Sequence, residues 1–162
     1  MNVAVLADTH LPRGARRLPD ECVRRIRDAE LLLHVGDFVS VGALRLLEEL
    51  APVLGVWGNM DEPALRELMP QSRIVEVDGA RVGLVHVPGP AKDRHARLLS
   101  RFPGCDAVVY GHTHVPEVAR HRGCWILNPG SPTERRRSPE HTMIELSIDQ
   151  AQVVPRLVTL SA

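Results

Sequence analysis

Cysteine is scarce and unpaired in this 162-residue chain. Cys22, Cys105 and Cys124 form no Cys-x-x-Cys pair, and their odd number argues against a disulfide framework or a cysteine-based zinc knot. They read as small core residues in a reducing compartment. Aromatic residues are few: two Trp, two Phe and one Tyr leave little to stack along single-stranded nucleic acid. Neither sign of charge is in excess, since 20 basic and 20 acidic residues give a formal net charge of zero. No global field therefore draws the chain to nucleic acid or to an anionic membrane, and an acidic substrate must be held by local charge. Lysine is almost absent, with Lys92 the only one, so arginine carries the basic charge. No apolar run approaches the roughly 18 residues of a membrane span, and Met1-Asn2-Val3-Ala4-Val5 enters a strand without a charged leader. A soluble, cytoplasmic protein is expected.

What is present is an alternation of strand and helix. The length suits one domain over residues 1–162. Apolar strands are predicted at Asn2 to Ala7, Leu31 to Val35 and Val53 to Trp57. Between them, Leu18 to Arg27 opens with Pro19 and acids and spaces Cys22, Val23 and Ile26 on one helix face. Val41 to Leu50 does the same with Leu44, Leu47 and Leu50 before Pro52. This order predicts a parallel sheet with right-handed crossovers. The second half reads as a hairpin about Asp78-Gly79, a helix over Lys92 to Phe102, and a strand from Ala107 to Tyr110. Trp125 to Leu127, Met143 to Ile148 and Gln152 to Val158 read as closing antiparallel strands, with a tight turn near Asp149-Gln150. Two packed sheets with helices outside are expected.

The strands end in a telling way. The first runs into Asp8-Thr9-His10, the second into Gly36-Asp37, the third into Gly58-Asn59-Met60-Asp61, and the hairpin into His86; Val108-Val109-Tyr110 ends in Gly111-His112-Thr113-His114. In such sheets ligands sit beyond the carboxyl ends of the strands. Asp8, His10, Asp37, Asn59, His86, His112 and His114 together offer two carboxylates, one amide oxygen and four imidazoles. That is too many for one ion and suits two. A mixed N/O set without thiolate fits two divalent ions, manganese first, with iron, nickel or zinc as alternatives. The surplus positive charge of such a pair would bind a phosphate oxygen and lower the pKa of a bridging water from 15.7 toward roughly 7. Two ions about 3.5–4 Å apart need one carboxylate between them, and Asp37 is taken as that bridge.

Asp8-x-His10, Gly36-Asp37, Gly58-Asn59-x-Asp61, His86 and Gly111-His112-x-His114, followed by Asn128-Pro129-Gly130-Ser131, occur in that order over nearly the whole chain. The pattern resembles the calcineurin-like metallophosphoesterase superfamily, and within it the small YfcE-type (MJ0936-like) phosphodiesterases. The resemblance implies an α/β four-layer sandwich of two mixed sheets flanked by helices. It also implies one metal on Asp8, His10, Asp37 and His114 and another on Asp37, Asn59, His86 and His112. Asp37, Asn59 and His112 are the expected catalytic residues. Hydrolysis of a small phosphodiester by a metal-bridging hydroxide is the implied reaction. Two positions depart from the pattern: most members carry histidine where Met60 stands, and glycine where Val87 follows His86.

Other residues read more plainly. His34 lies within a strand and is expected in the core; His95, His121 and His141, in helical or loop context, are expected to be solvated. Asp61 is expected to orient a ligand, and Arg135-Arg136-Arg137 to form a solvated charge run. If another residue supplies the proton that Met60 cannot, His95 and Arg13 are the next to test. Two other classes of function compete: a metal-binding interaction scaffold like the retromer subunit of this fold, which has lost part of its metal set, and a nuclease. The complete set of seven ligands argues against the first, and the few aromatics and zero net charge against the second. Small substrates are favoured, nucleic acid and membrane partners are not, and a homo-oligomer is allowed.

Overall fold

A computed structural model describes residues 1–11 and 17–161. Arg13 lies outside the described residues. Ten strands and four helices follow in the order β1 Asn2–Leu6, α1 Asp20–Asp28, β2 Leu31–His34, α2 Val41–Glu48, β3 Val53–Gly55, α3 Pro63–Leu68, β4 Ser72–Val77, β5 Ala80–Val85, α4 Arg94–Arg101, β6 Ala107–Tyr110, β7 Glu117–His121, β8 Cys124–Asn128, β9 His141–Asp149 and β10 Gln152–Leu160. They build two mixed five-stranded sheets, ordered β10-β9-β1-β2-β3 and β4-β5-β6-β8-β7. None of the described helices is long and apolar enough to cross a membrane.

The period-2 alternation of each strand decides how the layers stack. In β1, Val3 and Val5 face the second sheet and join Val82, Leu84, Val109 and Leu127 in the central core. Ala4 and Leu6, on the opposite face, pack with Cys22 and Ile26 of α1 and Leu44 and Leu47 of α2. The second sheet repeats this outward, where Val108, Tyr110 and Ile126 meet Leu98 of α4 and Phe102. The parallel strands are thus apolar on both faces, which is why they read as continuous hydrophobic runs. Each fully buried Leu or Val contributes about 1.5–3 kcal/mol.

Two of the helices are stabilised at their ends in different ways. Ser40 accepts a hydrogen bond from the Ala43 N–H at 3.1 Å and caps α2; α1 carries Asp20 and Glu21 in its first turn and Arg25 and Arg27 in its last, complementing the helix dipole. Arg25 also pairs with Glu145 on β9 at 2.8 Å, and Glu145 pairs with Arg156 on β10, tying α1 to the first sheet. Pro155 is tolerated because β10 is an edge strand.

Two details differ from the sequence reading. The helix α3 and the strand β7 were not predicted, being short and only partly apolar. The segment at Trp125–Leu127 belongs to the second sheet, parallel to β6, and not with the closing hairpin. The tight turn expected near Asp149-Gln150 is there as a two-residue loop of Gln150 and Ala151, both left-handed at φ 46° and 69° although neither is glycine or asparagine. The turn at Asp78-Gly79 has the expected form, with φ 46° and 83°.

Candidate metal centre

The parallel ladders do not stop with the strands, and that continuation assembles the site. Beyond β1, the N–H groups of Asp8 and His10 donate to the carbonyls of Gly36 and Asp37 at 2.9 Å, so the first two motifs travel side by side. Beyond β5, the His86 carbonyl accepts from Gly111 N–H at 3.0 Å, which brings His86 beside the Gly111–His114 loop. Gly58 lies against Asp37 so closely that a Cβ there would overlap the carboxylate; at Gly36, with φ +97°, a Cβ would sit 2.7 Å from His86 Nδ1.

All seven candidates come together. His10 Nε2 is 3.5 Å from Asp37 Oδ2, and His86 Nε2 is 3.2 Å from the same oxygen. Asp8 Oδ1 lies 3.9, 3.7 and 3.4 Å from the Nε2 atoms of His10, His86 and His114. Asn59 Oδ1 is 3.0 Å from His86 Nε2 and 3.1 Å from His112 Nδ1. Asp8 belongs to two groups of mutually close donor atoms, one with His10 and His114 and one with Asp37 and His86. Asp8, Asp37, His10, His86 and His114 are buried, and His112 is partly open to solvent.

The imidazoles are oriented by their far nitrogens. His86 Nδ1 donates to the Val35 carbonyl and His114 Nδ1 to that of Glu134, each at 2.7 Å, which turns a bare Nε2 inward. A ring N–H anchored on a backbone carbonyl is the usual support of a metal-ligating histidine. Among the described residues, Asp8 Oδ1, both ring nitrogens of His10 and His114 Nε2 are buried without a hydrogen-bond partner. Leaving a buried polar atom unpaired costs about 1–3 kcal/mol. Five of the seven residues also hold a left-handed backbone, with φ 56° at Asp8, 46° at His10, 62° at Asp37, 73° at His112 and 61° at His114. That conformation costs non-glycine residues roughly 1–2 kcal/mol each and gathers at functional sites. Orphaned N and O atoms converging in such a setting fit a cation.

Titration follows the same geometry. Burial would raise the Asp8 carboxyl, but His10 and His114 beside it hold it well below the usual carboxylate range. Burial likewise opposes ionisation of Asp37, and His86 reverses the effect and lowers its pKa. Burial pushes His86 down, yet Asp37 and Asp8 bring it above its ordinary value. His112 is lowered by burial and by the charges of His86 and Arg136.

Supporting residues lock the loops. Asp61 accepts from the N–H groups of Asp37 at 3.0 Å, Gly58 at 2.7 Å and Val39 at 2.6 Å, and burial raises its pKa against these bonds. His34 is fully buried, stacked on Phe38, and pushed down to about 3 by burial, so it is neutral. Its Nδ1 accepts the Gly36 N–H, and Nε2 faces Thr9 Oγ1 at 3.1 Å. Met60 is 39% exposed, and its N–H donates to Asp37 Oδ1 at 2.9 Å.

Thr133 and Glu134 went unnoticed in the sequence, and Ser131 was noted there only as the end of the motif Asn128-Pro129-Gly130-Ser131. Ser131 and Thr133 grip the carbonyls of Asp8 and Thr9 at 2.7 and 2.6 Å, and the Glu134 carboxylate comes within 3.7 Å of His10 Nε2. Their only signal was their position directly after Asn128-Pro129-Gly130. His95 is not simply solvated: it lies 3.1 Å from Glu117, which also accepts from the Tyr110 hydroxyl, and it faces His121. His121 is on β7 and His141 begins β9, so neither lies in a loop. Arg135, Arg136 and Arg137 are exposed, as expected, although Arg136 is near enough to act on His112.

A two-sheet sandwich whose strand ends converge on buried carboxylates and imidazoles defines a metallohydrolase-type scaffold. The chain belongs to the calcineurin-like phosphoesterase superfamily, whose domain it matches over residues 1–151. It is 38% identical to a probable metallophosphoesterase of Methanothermobacter thermautotrophicus, covering 100% of this chain and 94% of that protein. It is 25% identical to the phosphodiesterase MJ0936 of Methanocaldococcus jannaschii, over 80% of this chain and 83% of that one. Its fold is also that of wild-type Vps29 complexed with zinc from Entamoeba histolytica, with TM-score 0.79 and 22% identity over 98% and 99% of the two chains.

Proposed function

We propose that this protein hydrolyses small phosphodiesters at a centre of two divalent metal ions held by Asp8, His10, Asp37, Asn59, His86, His112 and His114. The observation that carries the reading is the convergence of buried atoms with no other partner, Asp8 Oδ1, His10 Nε2 and His114 Nε2, on one point. One ion would be held by Asp8, His10, Asp37 and His114 and the other by Asp37, Asn59, His86 and His112, with Asp8 Oδ1 also 3.7 Å from His86 Nε2. Asp37 Oδ2 lies between His10 and His86 as a bridge would. Oxygen and nitrogen donors without thiolate suit manganese first, with iron, nickel or zinc as alternatives. Such ions supply Lewis acidity toward a phosphoryl oxygen and a nucleophilic water at neutral pH.

The chain's own residues do the rest. Asp61 fixes the backbone of Asp37, and the carbonyls of Val35 and Glu134 fix the rings of His86 and His114, so the site is formed before substrate arrives. His112 and Asn59, the two members of the set open to solvent, are the ones that would meet the phosphoryl group. Met60 supplies no proton to a departing alkoxide, which restricts efficient turnover to diesters with acidic leaving groups. Three free, buried cysteines accord with a reducing cytoplasm. The full donor set supports an enzyme over an interaction scaffold of the same fold. Assays of manganese-loaded protein on bis(4-nitrophenyl) phosphate, 4-nitrophenyl phosphate and a single-stranded oligonucleotide test this. Turnover of the diester well above the other two is expected, and none on any of the three would overturn the reading.

A further inference from the structure

Asn59 and His86 form one end of a cleft of about 520 Å³ that runs away from the metal centre between Trp57 and the loop Val87–Pro90, toward Arg97 and Arg101 of α4. That volume is in the range of small-molecule sites, about 300–1,000 Å³. The segment Val87-Pro88-Gly89-Pro90, where the sequence departs from the family pattern, lines one side of the cleft, with Val87 exposed and Pro88 buried. Arg97 fastens this loop, donating to the carbonyls of Pro88, Pro90 and Lys92. At Gly89, with φ +81°, a Cβ would sit 3.0 Å from the Arg97 guanidinium, so glycine lets the two pack.

The charge lining this cleft is one-sided. Arg97 and Arg101 face it and no acidic residue lines it, in a chain whose net charge is zero. Arg97 is committed to the loop. Arg101 makes no hydrogen bond or ion pair with any described residue and rests its guanidinium 5.8 Å from the ring of Phe102. The spacing is visible in the sequence, where Arg94, Arg97 and Arg101 fall at i, i+3 and i+7 on α4. Trp57 supplies an aromatic wall, with Arg66 over its ring at 4.5 Å.

We infer that this cleft receives one ester arm of the substrate, and that the arm is a flat apolar group carrying a second anion, a carboxylate or phosphate, which Arg101 binds. The inference rests on the phosphodiesterase reading and narrows its substrate class. An anion held at a solvent-exposed arginine gains modestly, so the charge selects among diesters while the metal centre does the binding common to all.

The test compares bis(4-nitrophenyl) phosphate with 4-carboxyphenyl 4-nitrophenyl phosphate, whose arms are similar in size and differ in charge. In metal-loaded wild type, kcat/KM is expected to be about 2- to 5-fold higher for the carboxylate ester, mainly through KM. Arg101→Gln should bring the ratio close to one, whereas Arg120→Gln, on the far side over Trp125, should keep it. Equal kcat/KM for the two esters in wild type, or a ratio that survives Arg101→Gln, would overturn the inference. If neither ester is turned over, the phosphodiesterase reading fails. The same loaded proteins are then titrated calorimetrically with both esters, where an Arg101-dependent preference supports the cleft assignment and equal affinity overturns it.

Discussion

At the scale of single residues the site depends on groups that never touch a substrate. Asp61 satisfies three backbone N–H groups, and Asp61→Ala leaves all three without an acceptor in a buried loop. At about 1–3 kcal/mol for each orphaned donor, a loss of roughly 3 kcal/mol or more in denaturant unfolding is expected, with weaker metal binding. Stability within 1 kcal/mol of wild type, on the same scale of about one hydrogen bond, would show that water replaces the carboxylate. Met60 makes a different prediction. A positioned general acid is worth about 10²–10⁴-fold, and methionine cannot act as one. The rate should therefore fall steeply as the leaving group becomes more basic; Met60→Ile should change little and Met60→His should raise turnover of poor leaving groups. A flat dependence with chemistry rate-limiting would mean that another residue donates the proton. His95, bound to Glu117, is then a poor candidate.

At the scale of elements, the strand ends were legible because each apolar run stops at a polar motif, and periodicity placed three of the helices to within a few residues. What escaped was what tertiary packing alone decides: α3, with six residues, and β7, whose side chains are half exposed, carry little periodic signal. The loop grip of Ser131, Thr133 and Glu134 was hidden for another reason. Its partners lie more than a hundred residues earlier, and no local spacing encodes that contact. The tie from α1 to the first sheet gives a pH prediction. Burial raises the Glu145 carboxyl, but Arg156 and Arg25 together hold it below its usual 4.5. A carboxylate depressed in the folded state contributes stability above its unfolded pKa and loses it as pH falls through the folded value. The Tm gap between wild type and Glu145→Gln should thus be present at pH 6 and narrow below pH 4.5; a gap that stays constant to pH 3 would dissociate the ion pairs from stability.

At the scale of the whole molecule, two sheets bring their strand ends to one place, where Asp8 Oδ1, both ring nitrogens of His10 and His114 Nε2 are buried without a hydrogen-bond partner among the described residues. Metal should act as a ligand of the folded state, adding about 2.7 kcal/mol of stability at one hundred times its dissociation constant. The strongest test of the dinuclear centre is metal content measured by mass spectrometry on manganese-saturated, desalted protein, wild type beside Asp37→Ala. Two ions per chain in wild type and neither retained in Asp37→Ala is the expected result, because that carboxylate screens the two charges from each other. One ion per chain in wild type, or full occupancy and activity in Asp37→Ala, would contradict the dinuclear centre on which the account stands.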